Sequence, residues 1–148
     1  MSPALDKPAR ATPAGPGLDE FEALEFDVEA FDHAAHVYVA WQYVRRYDLV
    51  EAIVRYRDTL KRLTAGIGIP EKYHETITWF FVILVAERTR LAPGHSWDAF
   101  HEANPDLFGR EPGIIHDYYA QATLRSAEAR AHFVLPSARN CGAPSPAT

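Results

Sequence analysis

Residues 70–90 read PEKYHETITWFFVILVAERTR, and this segment decides the fold. From Trp79 to Ala86 every residue is apolar, so no face is left for water. The run is too short to span a bilayer and lacks the alternation of a half-buried strand. Pro70 suits the first turn of a helix, and a helix apolar nearly all round belongs at the centre of a domain. The spacing therefore predicts a central helix from Pro70 to about Arg90. Its opening is the puzzle: Lys72, Tyr73, His74, Glu75, Thr76 and Thr78 are polar groups on a segment about to be buried.

Outward from this helix the punctuation is helical throughout. Upstream, Leu49, Ile53, Tyr56, Leu60 and Leu63 form one face of a helix that Asp48 opens and Gly66 stops, with Arg55, Arg57, Asp58, Lys61 and Arg62 mostly outside. Asp48 and Glu51 have capping-box spacing. Before it, His33, His36, Val37, Ala40, Trp41 and Val44 mark a helix from about Asp32 to Tyr47, with a start as early as Val28. Downstream, Pro93-Gly94 ends the central helix and Ser96 caps a short one through Ala103. Pro112 opens another, IIHDYYAQA, and Ser126 caps a last one reaching Phe133. No alternating run is bounded by hairpin turns. The prediction is an all-α, single-domain irregular helical bundle over residues 25–134. Residues 1–24 and 135–148, rich in Pro and Ala, are expected to be disordered tails.

At 148 residues the chain is long enough for one core without staples. Its net charge of -5 gives no basic footprint, which argues against nucleic acid and anionic membranes as partners. A lone cysteine, Cys141, rules out an internal disulfide and a thiolate metal cluster. With no apolar leader at the N-terminus, a cytoplasmic protein is expected. The aromatic content permits a homodimer without requiring one.

Two polar clusters point to chemistry. His33 and His36 lie three apart, extending an apolar stripe, and Glu29 would share their face if the helix began early. Two imidazoles at core depth need partners. His74 and Thr78 share a face on the central helix, with Glu75 about 100° round. His33, His36, His74 and Glu29 are thus candidate ligands for a divalent transition metal, iron, copper or zinc, with an open position. Glu75, Tyr73 and Lys72 are the candidate catalytic groups. The unit in the first helix is His-x-x-His rather than the ferritin-like Glu-x-x-His, so a di-iron carboxylate centre lacks its expected ligands. His95 and His101 read as surface residues, and Arg125 and Arg130 as members of surface ion pairs. His116 sits with Asp117, Tyr118 and Tyr119 in an amphipathic stretch. Phosphate loops, dinucleotide fingerprints and nucleophile triads are missing.

The motif F-x-H-x-x-H-(x4)-W at Phe31 to Trp41, the Gly66 to Thr78 segment ending in KYHETIT, and the Tyr118 to Pro136 segment resemble a group of small bacterial helical proteins. The resemblance covers most of the body and implies that the histidine pair and KYHET belong together. It brings no activity. The group leads one to expect an acidic residue after Pro136, where this chain has Ser137.

Three functions follow from the clusters. A small helical metalloenzyme doing redox chemistry on a small-molecule substrate at a non-heme, His-rich site is one. A metal-free lyase, isomerase or cyclase using His74 and Glu75 is the second. The third is a binding protein that recognises a small molecule without catalysis.

Overall fold

The computed structural model describes residues 14–109 and 113–136; Pro112, Ser137, Cys141 and the outer parts of both tails lie outside them. Among the described residues the structure is all-α, with no strand. The helices are α1 (Leu18–Glu22), α2 (His33–Arg46), α3 (Leu49–Gly66), α4 (Glu75–Leu91), α5 (Trp97–Ala103), α6 (Gln121–Arg125) and α7 (Ala127–Ala131). Short 3-10 turns occupy Val28–Ala30, Pro70–Lys72, Pro105–Leu107 and Ile114–Asp117. Helix α4 packs against α2, α3 and α7, and α2 packs on α3. Val82 and Val85 are fully buried at its middle, as a helix apolar all round requires. No described helix is long and apolar enough to cross a membrane.

Side-chain caps set the helix starts. Asp32, Asp48, Ser96 and Ser126 each accept the backbone N–H of the third residue on, namely Ala35, Glu51, Ala99 and Ala129. Each cap contributes about 1 kcal/mol. The Asp48 box forms only in half, because the Glu51 carboxylate turns to Arg55 at 3.0 Å. Gly66 is the last helical residue, and the left-handed position falls instead on Gly68, with φ +82°. There Gly68 N–H bonds to Ala65 C=O and Ile69 N–H to Thr64 C=O, the paired bonds of a Schellman ending.

The start of α2 near Asp32 is as expected, and three later boundaries differ. Asp32 is extended (ψ −173°), so α2 cannot continue back to Val28, and Glu29 sits on a separate 3-10 turn off the histidine face. The central helix starts at Glu75, not Pro70, because His74 is extended and caps it. Residues 114–122 split into a 3-10 turn and the start of α6, and the last helix ends at Ala131 rather than Phe133.

The body also begins before residue 25. Phe21 of α1 is fully buried, its ring 5.7 Å from those of Phe26, Phe31 and Tyr56. The Glu22 carboxylate accepts from Tyr43 Oη at 2.7 Å and from Arg55, which ties α1 to both α2 and α3. At the other end Phe133 stacks on Trp79, 4.9 Å between centroids, so packing continues past α7.

Candidate functional site: an imidazole-lined cavity

His74 explains why α4 opens with polar residues. Its Nδ1 accepts the Ile77 N–H at 3.2 Å, and its Nε2–H donates to the Leu124 carbonyl at 2.7 Å. An acceptor at one nitrogen and a donor at the other define a neutral imidazole in one tautomer. Burial takes its pKa below the ordinary 6.5, outweighing the Leu124 bond, and the Arg130 charge adds to the lowering. Thr76 Oγ1 lies 2.7 Å from the carbonyls of both Ala129 and His132 and accepts from Val134 N–H. Arg130 reaches back to the Glu71 carbonyl at 3.0 Å. The polar opening of α4 is therefore a seam that holds the segment from Leu124 to Val134.

Glu75 is buried among donors. Tyr73 Oη donates to Oε1 at 2.8 Å, Trp79 Nε1 to Oε2 at 3.0 Å, and Arg57 Nε to both oxygens at 3.2 and 3.0 Å. Burial alone would raise this carboxyl; the bonds from Tyr73 and Arg57, the Arg57 charge and the Trp79 bond win and hold it below its ordinary value. A carboxylate so satisfied is a poor proton acceptor for a substrate. Tyr73, its pKa raised first by burial, is spent on the same carboxylate, and Lys72 is exposed on the 3-10 turn.

The α2 pair also meets backbone. His33 donates Nε2–H to the Leu107 carbonyl at 2.8 Å, tying α2 to a turn far along the chain. His36 donates Nδ1–H to the Asp32 carbonyl at 2.8 Å, one turn back on its own helix. That bond fixes the tautomer and leaves Nε2 as a lone-pair acceptor. Burial lowers the His36 pKa against the opposing Asp32 bond, and the neighbouring His33 lowers it further. His36 is consequently neutral at pH 7.

Both α2 histidines and Thr78 of α4 line one cavity of about 330 Å³. Phe31, Val37, Leu60, Ile77 and Phe81 supply its apolar wall. The Phe31 ring lies 4.1 Å from that of His36, and Phe81 meets His33 edge-on at 5.2 Å, so both imidazoles are held between ring and backbone. Tyr56 Oη, on the cavity wall, donates to the His36 carbonyl at 3.1 Å. His33 and Phe81 also border a second space of about 370 Å³, which His116 lines.

The structure thus brings His33, His36 and Thr78 together but leaves His74, Glu75 and Glu29 out of that cavity. Both His74 nitrogens are committed, and Glu29 is exposed on its own turn, so the four expected ligands do not form one donor set. Among the described residues no group of three or more His, Cys, Asp or Glu is placed to hold a metal ion. The residues do not fit the iron, copper or zinc centre read from their spacing.

Compared with profiles of known protein families, curated protein sequences and solved structures, the chain finds no match.

Sequence reasoning missed Arg57, expected on the outer face of α3, and Arg130, expected in a surface ion pair. Both instead serve the seam at the start of α4. For Arg57 a signal existed: it follows Tyr56 at the edge of the apolar face, within reach of the neighbouring helix. For Arg130 there was none, since its partners are carbonyl oxygens.

Proposed function

We propose that this protein binds a small, largely apolar molecule carrying one polarised O–H or N–H, and that His36 Nε2 accepts that hydrogen. One observation carries the reading: the His36 Nδ1–H bond to Asp32 leaves a neutral imidazole with its lone pair free on the wall of an apolar cavity. The volume of about 330 Å³ lies at the lower end of small-molecule pockets, which run to roughly 300–1,000 Å³. Apolar walls with few placed polar groups are their usual lining. A neutral imidazole held beside a substrate is also suited to general-base work, its lowered pKa keeping it unprotonated. His33 and Thr78 supply further polarity at the same wall. A carboxylate ligand is disfavoured, because burial opposes the cationic imidazole that would pair with it.

The test uses phenols of graded acidity, read by NMR shift perturbation on the full chain. Binding should shift signals of Phe31, Val37 and Phe81 and tighten from 4-methoxyphenol to 4-cyanophenol at pH 7, as a hydrogen bond to a base requires. His36→Phe should remove that gradient. Toluene binding as well as any phenol, or an unchanged gradient in His36→Phe, sinks the reading.

A further inference from the structure

The face of α4 next to the cavity builds another pocket, of different chemistry. Phe80, Ile83, Leu84 and Glu87 recur at helical spacing and line a space of about 250 Å³. Its remaining walls come from the C-terminal part of the chain. Tyr118 lies 5.0 Å from Phe80 at an interplanar angle of 61°, and Tyr119 lies 6.0 Å away at 82°. Phe133 completes the aromatic lining. The rings are fixed by bonds elsewhere: Tyr119 Oη donates to the Val134 carbonyl at 2.5 Å, and Phe133 stacks on Trp79.

Among the described residues Glu87 is the only charged one on this wall, and it makes no salt bridge there. Ring faces carry negative potential, and a carboxylate at the rim adds to it. The complementary guest is a cation whose own surface is apolar. A metal ion or a primary ammonium would have to shed tightly held water to enter such walls. A quaternary ammonium presents methyl groups to the rings and spreads its charge over them, which is how aromatic cages select it. The small volume fits a headgroup better than an extended ligand.

We infer that Phe80, Tyr118, Tyr119, Phe133 and Glu87 form a cage for the trimethylammonium group of a small free molecule. The inference is independent of the His36 cavity, which uses Phe81 on the adjacent face. Calorimetry and NMR on the full chain should detect choline, with shifts at Phe80, Tyr118 and Phe133. The neutral isostere 3,3-dimethylbutan-1-ol should bind at least about tenfold more weakly, because only the charge differs. Glu87→Gln should weaken choline roughly threefold, as expected for a rim charge. Tyr118→Leu, at a part-exposed ring whose loss leaves the core intact, should weaken it by about tenfold or more. His36→Phe should leave choline binding unchanged, separating this site from the first. Equal binding of the neutral isostere, or no shift at these rings, overturns the cage. A trimethyl-lysine peptide binding more tightly than choline overturns the assignment to a free molecule.

Discussion

Removing the Glu75 carboxylate tests the seam at its most connected point. Glu75→Ala strands the Arg57 guanidinium, the Tyr73 hydroxyl and the Trp79 indole N–H at once. Breaking a fully buried ion pair from one side costs about 3–5 kcal/mol. Here the Arg57 side chain is 32% exposed and keeps Asp58 at 2.7 Å, so part of its charge stays solvated and paired. The two neutral donors add about 1 kcal/mol each where water cannot reach them. The expected loss is about 2–4 kcal/mol, or roughly 5–15 °C in Tm for a chain of this size. Glu75→Gln is the informative control. Its carbonyl can replace Oε2 for Arg57 and Trp79 while its amide faces the Tyr73 oxygen, so it should cost only about 1–2 kcal/mol.

The acid limb distinguishes a charged role from a steric one. The folded pKa of Glu75 is lowered, so near and below the ordinary 4.5 the unfolded chain takes up the proton first. Its contribution is complete above that range and disappears as pH falls through the folded value. Urea unfolding followed by tryptophan fluorescence should show the wild type above Glu75→Gln at pH 7, the two converging in acid. If Glu75→Gln matches the wild type at both pH values and Glu75→Ala costs under about 1 kcal/mol, the ion-paired seam is wrong.

Other perturbations follow from the same geometry. His74→Ala unpairs the Ile77 N–H and the Leu124 carbonyl, costing about 2–3 kcal/mol, and hydrogen exchange should quicken first over residues 121–134. Both His74 and His36 have folded pKa values below 6.5, so stability should fall as pH drops below 6.5, and His74→Asn should flatten part of that slope. Gly68→Ala, at φ +82° in open space, should cost about 1 kcal/mol by denaturant midpoint. Gly66→Ala, helical and equally unobstructed, should be neutral or stabilising by up to about 1 kcal/mol. Phe21→Ala, at a fully buried ring, should cost about 3–5 kcal/mol, as would no residue of a disordered tail.

Periodicity made the three long helices legible, because α2, α3 and α4 each bury a stripe or a whole surface whose spacing is written in side chains. Caps at Asp48, Ser96 and Ser126 were readable for the same reason: a short polar side chain answers a nearby N–H. Helix α1 escaped because Phe21 is one aromatic residue amid Pro and Gly, with partners, Tyr43 and Tyr56, in other helices. His74 as a cap escaped because imidazole is not an ordinary N-cap side chain.

The histidines show where sequence reasoning stops and why. The need for partners was inferred from core depth, although His33 is exposed, His36 half-buried and only His74 buried. Yet the partner chosen was another side chain or a metal, whereas each of the three donates to a backbone carbonyl: Leu107, Asp32 and Leu124. Every residue carries a carbonyl, so no pattern of residue types can announce one. A His-x-x-His pair spaced for a metal is equally spaced for two separate clamps, and only the commitment of each ring nitrogen tells them apart. His74 spends both nitrogens on the fold. His33 and His36 each spend one, and on His36 the bond from Nδ1 leaves Nε2 as the acceptor. The proposed binding therefore rests on the α2 histidines, which each keep a ring nitrogen uncommitted, and not on the His74 and Glu75 that the sequence groups most conspicuously.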